Sequence, residues 1–341
     1  MTDLVVGGGA VGSLIAWGLA RGGRDVAIVR RRLDGPARPG TVTVVGRTGE
    51  RRDAAVTEVR SPADLESAPE LIVFAVKMFD LEAAVASCDA WPDAVALTVS
   101  NGVGAEELVA DRRSGGLIAG SVTASVEVAP DGSIHRLNRG GIALAPIRGA
   151  VEGLIETLIR SFGTAGLRAV RRGDAAAMKW SKLVANLVAN ATSAIVDVSP
   201  GDVYGDPALY RIERRQLLEA FGLMRLKALE PVSLPGVDVR LLRLALRLPD
   251  PLVRPIIRRV VAGARGRKDP SLRVHAGSGS GPTEVAWLNG AVAERAARHG
   301  RAAPVNRRLA ELVASVVADP ERQAWFRGRP DRLVEAVGAP D

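Results

Sequence analysis

The first half of the chain alternates short apolar runs with stretches of helical periodicity. Four runs are almost wholly apolar inside, at residues 3–6, 25–29, 70–76 and 94–99. Such runs are typical of parallel strands that are buried on both faces. Helical patterns lie between them, for example at 12–22 and 81–86. The alternation predicts βαβ units, and therefore an α/β domain with a mostly parallel, doubly wound sheet.

Two further runs, at 41–45 and 121–128, predict additional strands of this domain. Asp131-Gly132 is a turn signal between the run that ends at Val128 and the run that begins at Ile134. A turn of this composition favours a β-hairpin. We therefore expect an antiparallel hairpin to end the first domain, which we place at residues 1–170.

After about Val170 the pattern becomes helical. Residues 174–198 predict one long helix with Asp174 as its N-terminal cap. Five more helical stretches follow, at 207–229, 239–248, 252–264, 283–299 and 305–318. The Gly and Ser residues of 276–282 indicate a loop. The sequence therefore predicts a second, all-α domain at residues 171–341.

Cysteine and histidine usage limits the kinds of site that the chain can build. Cys88 is the one cysteine among 341 residues, so neither an internal disulfide nor a cysteine-based metal site can form. The three histidines show no metal-ligand spacing. We expect no metal and a reducing compartment, the cytoplasm. The apolar stretch 4–20 contains five glycines and no basic residue precedes it, so we expect neither export nor a membrane span.

The net charge is +8, from 46 Lys and Arg against 38 Asp and Glu. A basic surface attracts anionic ligands, but no nucleic-acid motif accompanies it, so we expect no nucleic-acid partner. Arginines recur through the predicted helices of 240–268. We interpret them as the solvated face of packed helices; the alternative is contact with a membrane or a nucleic acid.

A glycine-rich motif follows the first predicted strand. Residues 7–12 satisfy G-x-G-x-x-G, and a helical pattern follows directly. In this context Gly7 permits a tight turn, Gly9 lets a pyrophosphate approach the backbone, and Gly12 lets helix and strand pack closely. The N–H groups at the helix start, at Ala10 and Val11, would hold the phosphates. The motif predicts a Rossmann-type dinucleotide-binding domain; the alternative is a glycine-rich turn without a ligand.

The end of the second predicted strand indicates which dinucleotide is bound. NAD enzymes usually carry Asp or Glu there, where it accepts hydrogen bonds from the ribose hydroxyls. Here the strand leads into Arg30 and Arg31. An arginine cannot accept those bonds, but it can bind a 2′-phosphate through charge and its fork of N–H donors. The sequence therefore predicts NADP(H) as cofactor; the alternative is a solvated basic loop.

Three polar residues recur at helical spacing inside the predicted helix 174–198. Lys182, Asn186 and Asn190 are four residues apart, which places them on one stripe of a continuous helix. Burying them without partners would be unfavourable, and a polar cleft would supply such partners. The alternative is that Lys182 is solvated and the asparagines bind local backbone.

These motifs together resemble the ketopantoate reductase family, and the resemblance covers nearly the whole chain. Besides residues 7–12 and 180–190, it rests on Ala-Val-Lys at 75–77 and Ser-Asn-Gly-Val-Gly at 100–104. It also rests on Pro-Ser-Leu at 270–272, Thr-Glu at 283–284 and Leu-Asn-Gly at 288–290. The stretches occur in the order and at the separations usual for the family.

The resemblance implies roles for individual residues. It assigns protonation of the substrate oxygen to Lys182, and to Asn101 a bridge between that lysine and the nicotinamide ribose. Glu284 corresponds to the acidic residue needed near the substrate and the nicotinamide. The substrate-binding positions are Asn186, Asn190 and Ser271. Lys77 and Arg31 correspond to positions that contact the phosphorylated adenosine end of NADPH.

The implied activity is hydride transfer from NADPH to the carbonyl of a small 2-oxo acid. The leading hypothesis is reduction of 2-dehydropantoate to pantoate in pantothenate biosynthesis. The chain departs from the family at His275, Ser280 and Asp80, where Asp, Arg and Gln are common. These departures affect which substrate is expected. One alternative is reduction of a related ketone or imine in specialised metabolism, and another is a non-catalytic dinucleotide sensor. Dimers are common among similar proteins, so a homodimer is the assembly to test.

Overall fold

The computed structural model describes residues 2–264, 271–273 and 281–338. It divides into two compact units. Unit 1 comprises Met1–Lys179 with Leu234–Val237, and unit 2 comprises Trp180–Ser233 with Asp238–Asp341.

Within its described residues, unit 1 contains one sheet of eleven strands. They are β1 (Thr2–Val6), β2 (Asp25–Val29), β3 (Arg38–Val45), β4 (Arg51–Val59), β5 (Leu71–Phe74), β6 (Val95–Thr98), β7 (Leu117–Val122), β8 (Val126–Val128), β9 (Ile134–Arg136), β10 (Ile142–Arg148) and β11 (Ala169–Arg171). Their order is β11-β10-β7-β6-β5-β1-β2-β4-β3-β9-β8. The central strands β7-β6-β5-β1-β2-β4 all pair in parallel, which confirms the predicted doubly wound sheet.

Four helices belong to this unit: α1 (Ala10–Arg21), α2 (Met78–Ala86), α3 (Ala105–Arg112) and α4 (Glu152–Thr164). Helix α1 packs against β3, β4 and α4. Its Trp17 is buried, and the Trp17 Nε1 donates a hydrogen bond to the Arg52 carbonyl at 2.9 Å. A Cβ at Gly18 would lie 2.8 Å from Cδ1 of Phe162, so only glycine lets α1 and α4 approach this closely.

The predicted hairpin at Asp131-Gly132 is confirmed, because β8 and β9 pair antiparallel with Val128 opposite Ile134. It does not end the unit, since β10, α4 and β11 follow. The prediction of one strand at 121–128 is wrong. The run divides between β7 and β8, and β8 lies at the far edge of the sheet. The N–H groups of Thr123 and Ala124 both donate to the carbonyl of Gly141, a tertiary contact that turns the chain out of β7.

Unit 2 is mainly helical, as predicted. With one helix shared at the boundary, its helices are α5 (Ala175–Leu187), α6 (Asn190–Val196), α7 (Pro200–Gly205), α8 (Pro207–Leu226), α9 (Val239–Ala245), α10 (Asp250–Ala264), α11 (Asn289–Arg298), α12 (Pro304–Ala318), α13 (Pro320–Phe326) and α14 (Pro330–Val337). Unit 2 also contains a 3₁₀ turn, Glu284–Trp287, and a short hairpin, β12 (Ser233–Leu234) with β13 (Val237–Asp238), is divided between the two units.

Two predicted helices are interrupted in the structure. The stretch 174–198 divides into α5 and α6, because Ala189 adopts a left-handed conformation with φ 51°. The stretch 283–299 divides into the 3₁₀ turn and α11 at Leu288, whose φ and ψ are −108° and −98°. Helices α7, α13 and α14 were not predicted from the sequence, although Ser199 and Asp319 cap the first two directly before a proline.

The surface of α9 and α10 is more apolar than the arginine pattern indicated. Arg240 and Arg243 pair with the nearby acids Asp238 and Glu230. Five large apolar side chains in α9, in α10 and in the segment between them are between 48% and 66% exposed: Leu241, Leu244, Leu248, Leu252 and Ile256. We call these five residues the exposed apolar row. In the part of the chain that the structure describes, no helix is long and apolar enough to cross a membrane.

Candidate active site

Gly7, in the loop from β1 to α1, and Gly12, in the first turn of α1, could not be replaced by another residue without a shift. Gly7 has φ +116°, and a Cβ there would lie 2.6 Å from the carbonyl oxygen of Ala75. A Cβ at Gly12 would lie 1.8 Å from the carbonyl oxygen of Gly7. The predicted turn and the close packing of helix and strand are therefore both present in the structure.

The N-terminus of α1 is shaped to receive an anion. Gly9 precedes the helix without a side-chain cap, and no atom of the described residues lies within 4 Å of the place where its Cβ would be. The first turn begins with Ala10 and Val11 and contains no acidic residue. Unpaired N–H groups and the helix dipole favour negative charge at such a position. The geometry therefore fits the pyrophosphate of a dinucleotide.

Arg30 and Arg31 have different surroundings. The Arg30 guanidinium donates to the Gly8 carbonyl at 2.6 Å and to Ser13 Oγ at 3.1 Å, and it pairs with Glu58 at 3.3 Å. It therefore supports the glycine loop. The Arg31 side chain is 70% exposed, and its nitrogen lies 3.6 Å from Oδ1 of Asp80. Of these two arginines, Arg31 is the one more accessible to a ligand.

Lys77 and Asn101 lie at the same edge of the sheet as the glycine loop. Strands β2, β1, β5 and β6 are consecutive and parallel, so the loops after them share one edge. Lys77 follows β5 and is exposed, with its Nζ 5.4 Å from the ring centroid of Phe79. Asn101 follows β6 and is half-buried. The structure thus brings the predicted cofactor residues of unit 1 to the carboxyl ends of parallel strands, where such folds bind ligands.

Lys179 supports the loop before Asn101, a role that the sequence pattern did not predict. Its Nζ donates to the carbonyl of Ser100 at 2.8 Å and pairs with Glu106 at 2.9 Å. Glu106 also accepts a hydrogen bond from Thr98 at 2.6 Å. The sequence shows a second lysine three residues before Lys182, but the helical periodicity did not indicate which of the two lysines would be buried.

In unit 2, Lys182 and Asn186 lie on one face of α5, as predicted. The Lys182 Nζ donates to Oδ1 of Asn186 at 2.9 Å, and both residues are half-buried. This contact fixes the orientation of the asparagine amide, with its oxygen toward the lysine. The pair therefore places an ammonium group and an amide NH₂ group side by side on one face of α5.

Asn190 does not continue the stripe, so the predicted alignment of all three residues is wrong. The break at Ala189 makes Asn190 the first residue of α6, where it is 3% exposed. Its Oδ1 accepts a hydrogen bond from the Leu272 N–H at 3.1 Å. Asn190 therefore holds the segment 271–273, in which Ser271 is exposed. The structure brings Asn190 and the Ser271 segment together through this bond.

Glu284 is the first residue of the 3₁₀ turn that precedes α11, and it is half-buried. Thr283 caps that turn by accepting a hydrogen bond from the Val285 N–H at 3.2 Å. The family departures His275 and Ser280, together with most of the predicted loop 276–282, lie outside the described residues.

Cys88 is buried, and this burial raises the pKa of its thiol, which favours the unreactive protonated form. Among the residues that the structure describes, no group of three or more His, Cys, Asp or Glu side chains is arranged to hold a metal.

Comparison with known proteins matches both halves of the chain to one family. Residues 4–149 match the model described as ketopantoate reductase PanE/ApbA, and residues 174–317 match the model of its C-terminal part. The 2-dehydropantoate 2-reductase of Halobacterium salinarum is 28% identical over 330 residues, covering 92% of this chain and 98% of the relative.

Solved structures share the fold, and two of them serve as examples. The PanE/ApbA family ketopantoate reductase from Ralstonia eutropha JMP134 aligns with a TM-score of 0.75 at 21% identity, covering 95% of this chain and 100% of that one. D-mandelate dehydrogenase in complex with NADH and anilino(oxo)acetate aligns with a TM-score of 0.74 at 18% identity, covering 93% and 98%. The family models together cover most of the chain, and the resemblance inferred from short motifs is confirmed: the chain belongs to the ketopantoate reductase family.

Proposed function

We propose that this chain is an NADPH-dependent reductase that converts 2-dehydropantoate to pantoate. The proposal is supported by family models that match residues 4–149 and 174–317 and by the Halobacterium salinarum relative, which carries that activity in its name. We further propose that residues 1–170 bind the cofactor and residues 171–341 bind the substrate. The main structural support for the proposed catalytic residue is the contact between Lys182 and Asn186.

The cofactor is a nicotinamide dinucleotide, and we propose NADPH in particular. The supporting observation is Arg31, exposed at the end of β2, where a 2′-phosphate would be bound by charge. Lys77, exposed on the neighbouring loop, is a second cation for this phosphate. Gly7, Gly9 and Gly12 would let the pyrophosphate approach the N-terminus of α1.

When bound, NADPH supplies the hydride that reduces the substrate carbonyl. Reduction places negative charge on the carbonyl oxygen, and a positioned ammonium stabilises that charge and then donates a proton. Lys182 is proposed for this role. Its contact with Asn186 at 2.9 Å holds the ammonium in place and turns the amide nitrogen of the asparagine toward its other side.

The remaining roles are proposals that rest on the family resemblance. Asn101 would bridge the lysine and the nicotinamide ribose, and Glu284 would act near the substrate and nicotinamide. Substrate binding would involve Asn186, Asn190 and Ser271. Neutral amide and hydroxyl donors can hold the carboxylate of a 2-oxo acid without burying a second full charge.

The test is NADPH oxidation by the purified protein with 2-dehydropantoate, compared with a panel of 2-oxo acids of other shapes. We expect the highest kcat/KM with 2-dehydropantoate. Preference for another 2-oxo acid by more than tenfold would overturn the substrate assignment. Absence of turnover with every carbonyl, despite NADPH binding, would support the non-catalytic sensor instead.

We also propose a homodimer in which a second copy covers the exposed apolar row of α9 and α10. Exposed apolar side chains that lie together often mark interaction sites, and the ketopantoate reductase of Staphylococcus aureus, a solved relative, is described as dimeric. The test is sedimentation velocity of the Leu244→Asp/Leu252→Asp variant, with Val128→Asp as a control at an exposed apolar residue of unit 1. A wild-type monomer, or a dimer that persists in the double variant, would contradict this interface.

A further inference from the structure

A buried carboxylate lies beside the break between α5 and α6. Glu213, on α8, is 0% exposed. Its Oε2 accepts hydrogen bonds from the Ala189 N–H at 2.7 Å and the Tyr204 hydroxyl at 3.0 Å. Its Oε1 accepts from the Thr192 hydroxyl at 2.6 Å and the Gln216 amide at 2.7 Å. Glu213 is the acceptor in all four of these hydrogen bonds. Burial raises the pKa of its carboxyl, and the four donors act against that rise.

These contacts act on both sides of the break. Ala189 has φ 51°, a conformation that alanine rarely adopts and that needs support from its surroundings. Glu213 receives the N–H of Ala189 and, one turn later, the side chain of Thr192 in α6. Gln216, which itself donates to Glu213, also donates to the Leu187 carbonyl at the end of α5 at 3.3 Å. The carboxylate thus holds the backbone where α5 ends and α6 begins.

The break separates two groups of proposed site residues. Lys182 and Asn186 lie before it on α5, and Asn190 begins α6 and holds the N–H of Leu272. If α5 continued as a regular helix through Ala189, Asn190 would turn with it and could not keep the Leu272 contact in its present place. The position of the Ser271 segment therefore depends on the break.

We propose that Glu213 is a positioning residue of the substrate site: by holding the Ala189 amide it fixes the break between α5 and α6, and so sets Asn190 and the Ser271 segment in place relative to Lys182 and Asn186. This inference rests on the proposed function, because it assigns these residues to the substrate. Glu213 itself contacts neither the substrate nor the cofactor in this scheme.

Glutamine at position 213 is a sharp test because it cannot satisfy the same donors. The Ala189 N–H can only donate, and the Gln216 nitrogen is also a donor, since Oε1 of Gln216 accepts from Asn289 at 2.8 Å. These two donors face opposite oxygens of Glu213. An amide in either orientation therefore points its NH₂ at one of these two donors. The Tyr204 and Thr192 hydroxyls, in contrast, can accept a hydrogen bond instead of donating one.

Glu219 offers a matched control on the same helix. It is a half-buried carboxyl that accepts from the N–H groups of Val305 and Asn306, both at 3.0 Å, and from the Asn306 side chain at 2.7 Å. These bonds join α8 to the start of α12 rather than to the break between α5 and α6. Glu219→Gln makes the same carboxyl-to-amide change at a different place on α8.

The experiment measures kcat and both KM values for the wild type, Glu213→Gln and Glu219→Gln, with thermal unfolding and hydrogen exchange of the peptide around Ala189. We expect Glu213→Gln to raise the substrate KM about tenfold, the effect of one lost hydrogen bond. The KM for NADPH should change less than twofold, and exchange around Ala189 should accelerate. Glu219→Gln should lower Tm but leave the substrate KM and this exchange unchanged.

Equal effects of the two variants on Tm and on both KM values would overturn the proposal, because Glu213 would then be a general stabilising residue. An unchanged substrate KM in Glu213→Gln would overturn it as well. If Glu213→Gln does not fold, Thr192→Val removes one of the same hydrogen bonds and should raise the substrate KM about two- to threefold. If the wild type prefers another 2-oxo acid, the proposed function fails, and the KM comparison on that acid still decides the role of Glu213.

Discussion

The Nζ of Lys179 lies 2.9 Å from Oε1 of Glu106, with the two side chains only 5% and 11% exposed. Lys182, three residues later, is half-buried and contacts Asn186. Two lysines within one helical turn therefore have different environments. The first stabilises the loop before Asn101 through its ion pair and its bond to Ser100. The second is the residue that we propose as the proton donor.

Lys182→Ala should lower kcat by about 10²- to 10⁴-fold, the usual contribution of a positioned proton donor. NADPH affinity should remain nearly unchanged, because the proposed contacts of the cofactor's phosphates are made by other residues. Asn186→Ala should act more on the substrate KM. Steady-state kinetics and NADPH titration measure both. Turnover that survives in Lys182→Ala would show that the proton comes from water or another residue.

Lys179→Ala should instead destabilise the fold, by about 3–5 kcal/mol, because it leaves Glu106 buried without its cation. The double variant Lys179→Met/Glu106→Leu removes both charges and should recover much of this loss. Chemical denaturation of the three proteins measures the difference. A double variant no more stable than Lys179→Ala would contradict the account of a desolvated pair.

Arg31→Ala should weaken NADPH binding about ten- to a hundredfold, the effect of losing about 1.5–3 kcal/mol of charge-assisted contact with a phosphate. NADH binding should change little. Arg30→Ala is the matched control: it should weaken both cofactors, because Arg30 donates to Gly8 and Ser13 and so supports the loop itself. Equal affinities of the wild type for NADPH and NADH would contradict the assignment of NADPH.

The glycine loop was predictable because its motif is short and contiguous in the sequence, and no side chain fits at Gly7 or Gly12. The family motifs added Lys182 and Asn186, which the structure brings into contact. The break at Ala189 was not predictable from periodicity, because the chain carries neither glycine nor proline there and apolar residues continue at helical spacing. It depends on Glu213, 24 residues later in the sequence. Tertiary contacts of this kind override local preference.

Asp131 makes a contribution to stability that depends on pH. Hydrogen bonds from Ser133, with a smaller effect of Arg51, lower the pKa of this exposed carboxyl from 3.8 to about 2. A carboxyl whose pKa is lower in the folded state stabilises it above the unfolded pKa, and this effect is lost as the pH falls through the folded pKa. The Tm of the wild type should therefore exceed that of Asp131→Asn slightly above pH ~4, and this difference should disappear as the pH falls below ~2. A Tm difference that stays constant across this range would mean that the hairpin turn gains nothing from the charge.

Ala228→Gly should stabilise the protein. Helix α8 ends in a Schellman arrangement, in which the Leu229 N–H donates to the Met224 carbonyl at 2.8 Å and the Ala228 N–H donates to the Arg225 carbonyl at 3.0 Å. Ala228 occupies the left-handed position of this motif, with φ 53°, where glycine is usual.

A left-handed alanine costs about 1–2 kcal/mol, and the greater freedom of glycine in the unfolded chain offsets about 0.5–1 kcal/mol of the gain. The net increase in the free energy of unfolding should be about 0.5–1 kcal/mol. Ala314→Gly, at an exposed position in the middle of α12, should lower it by about 1 kcal/mol and serves as the control. Urea denaturation of the three proteins measures both changes. If Ala228→Gly destabilised as much as Ala314→Gly, the left-handed conformation of Ala228 would not hold in solution, and α8 would end differently.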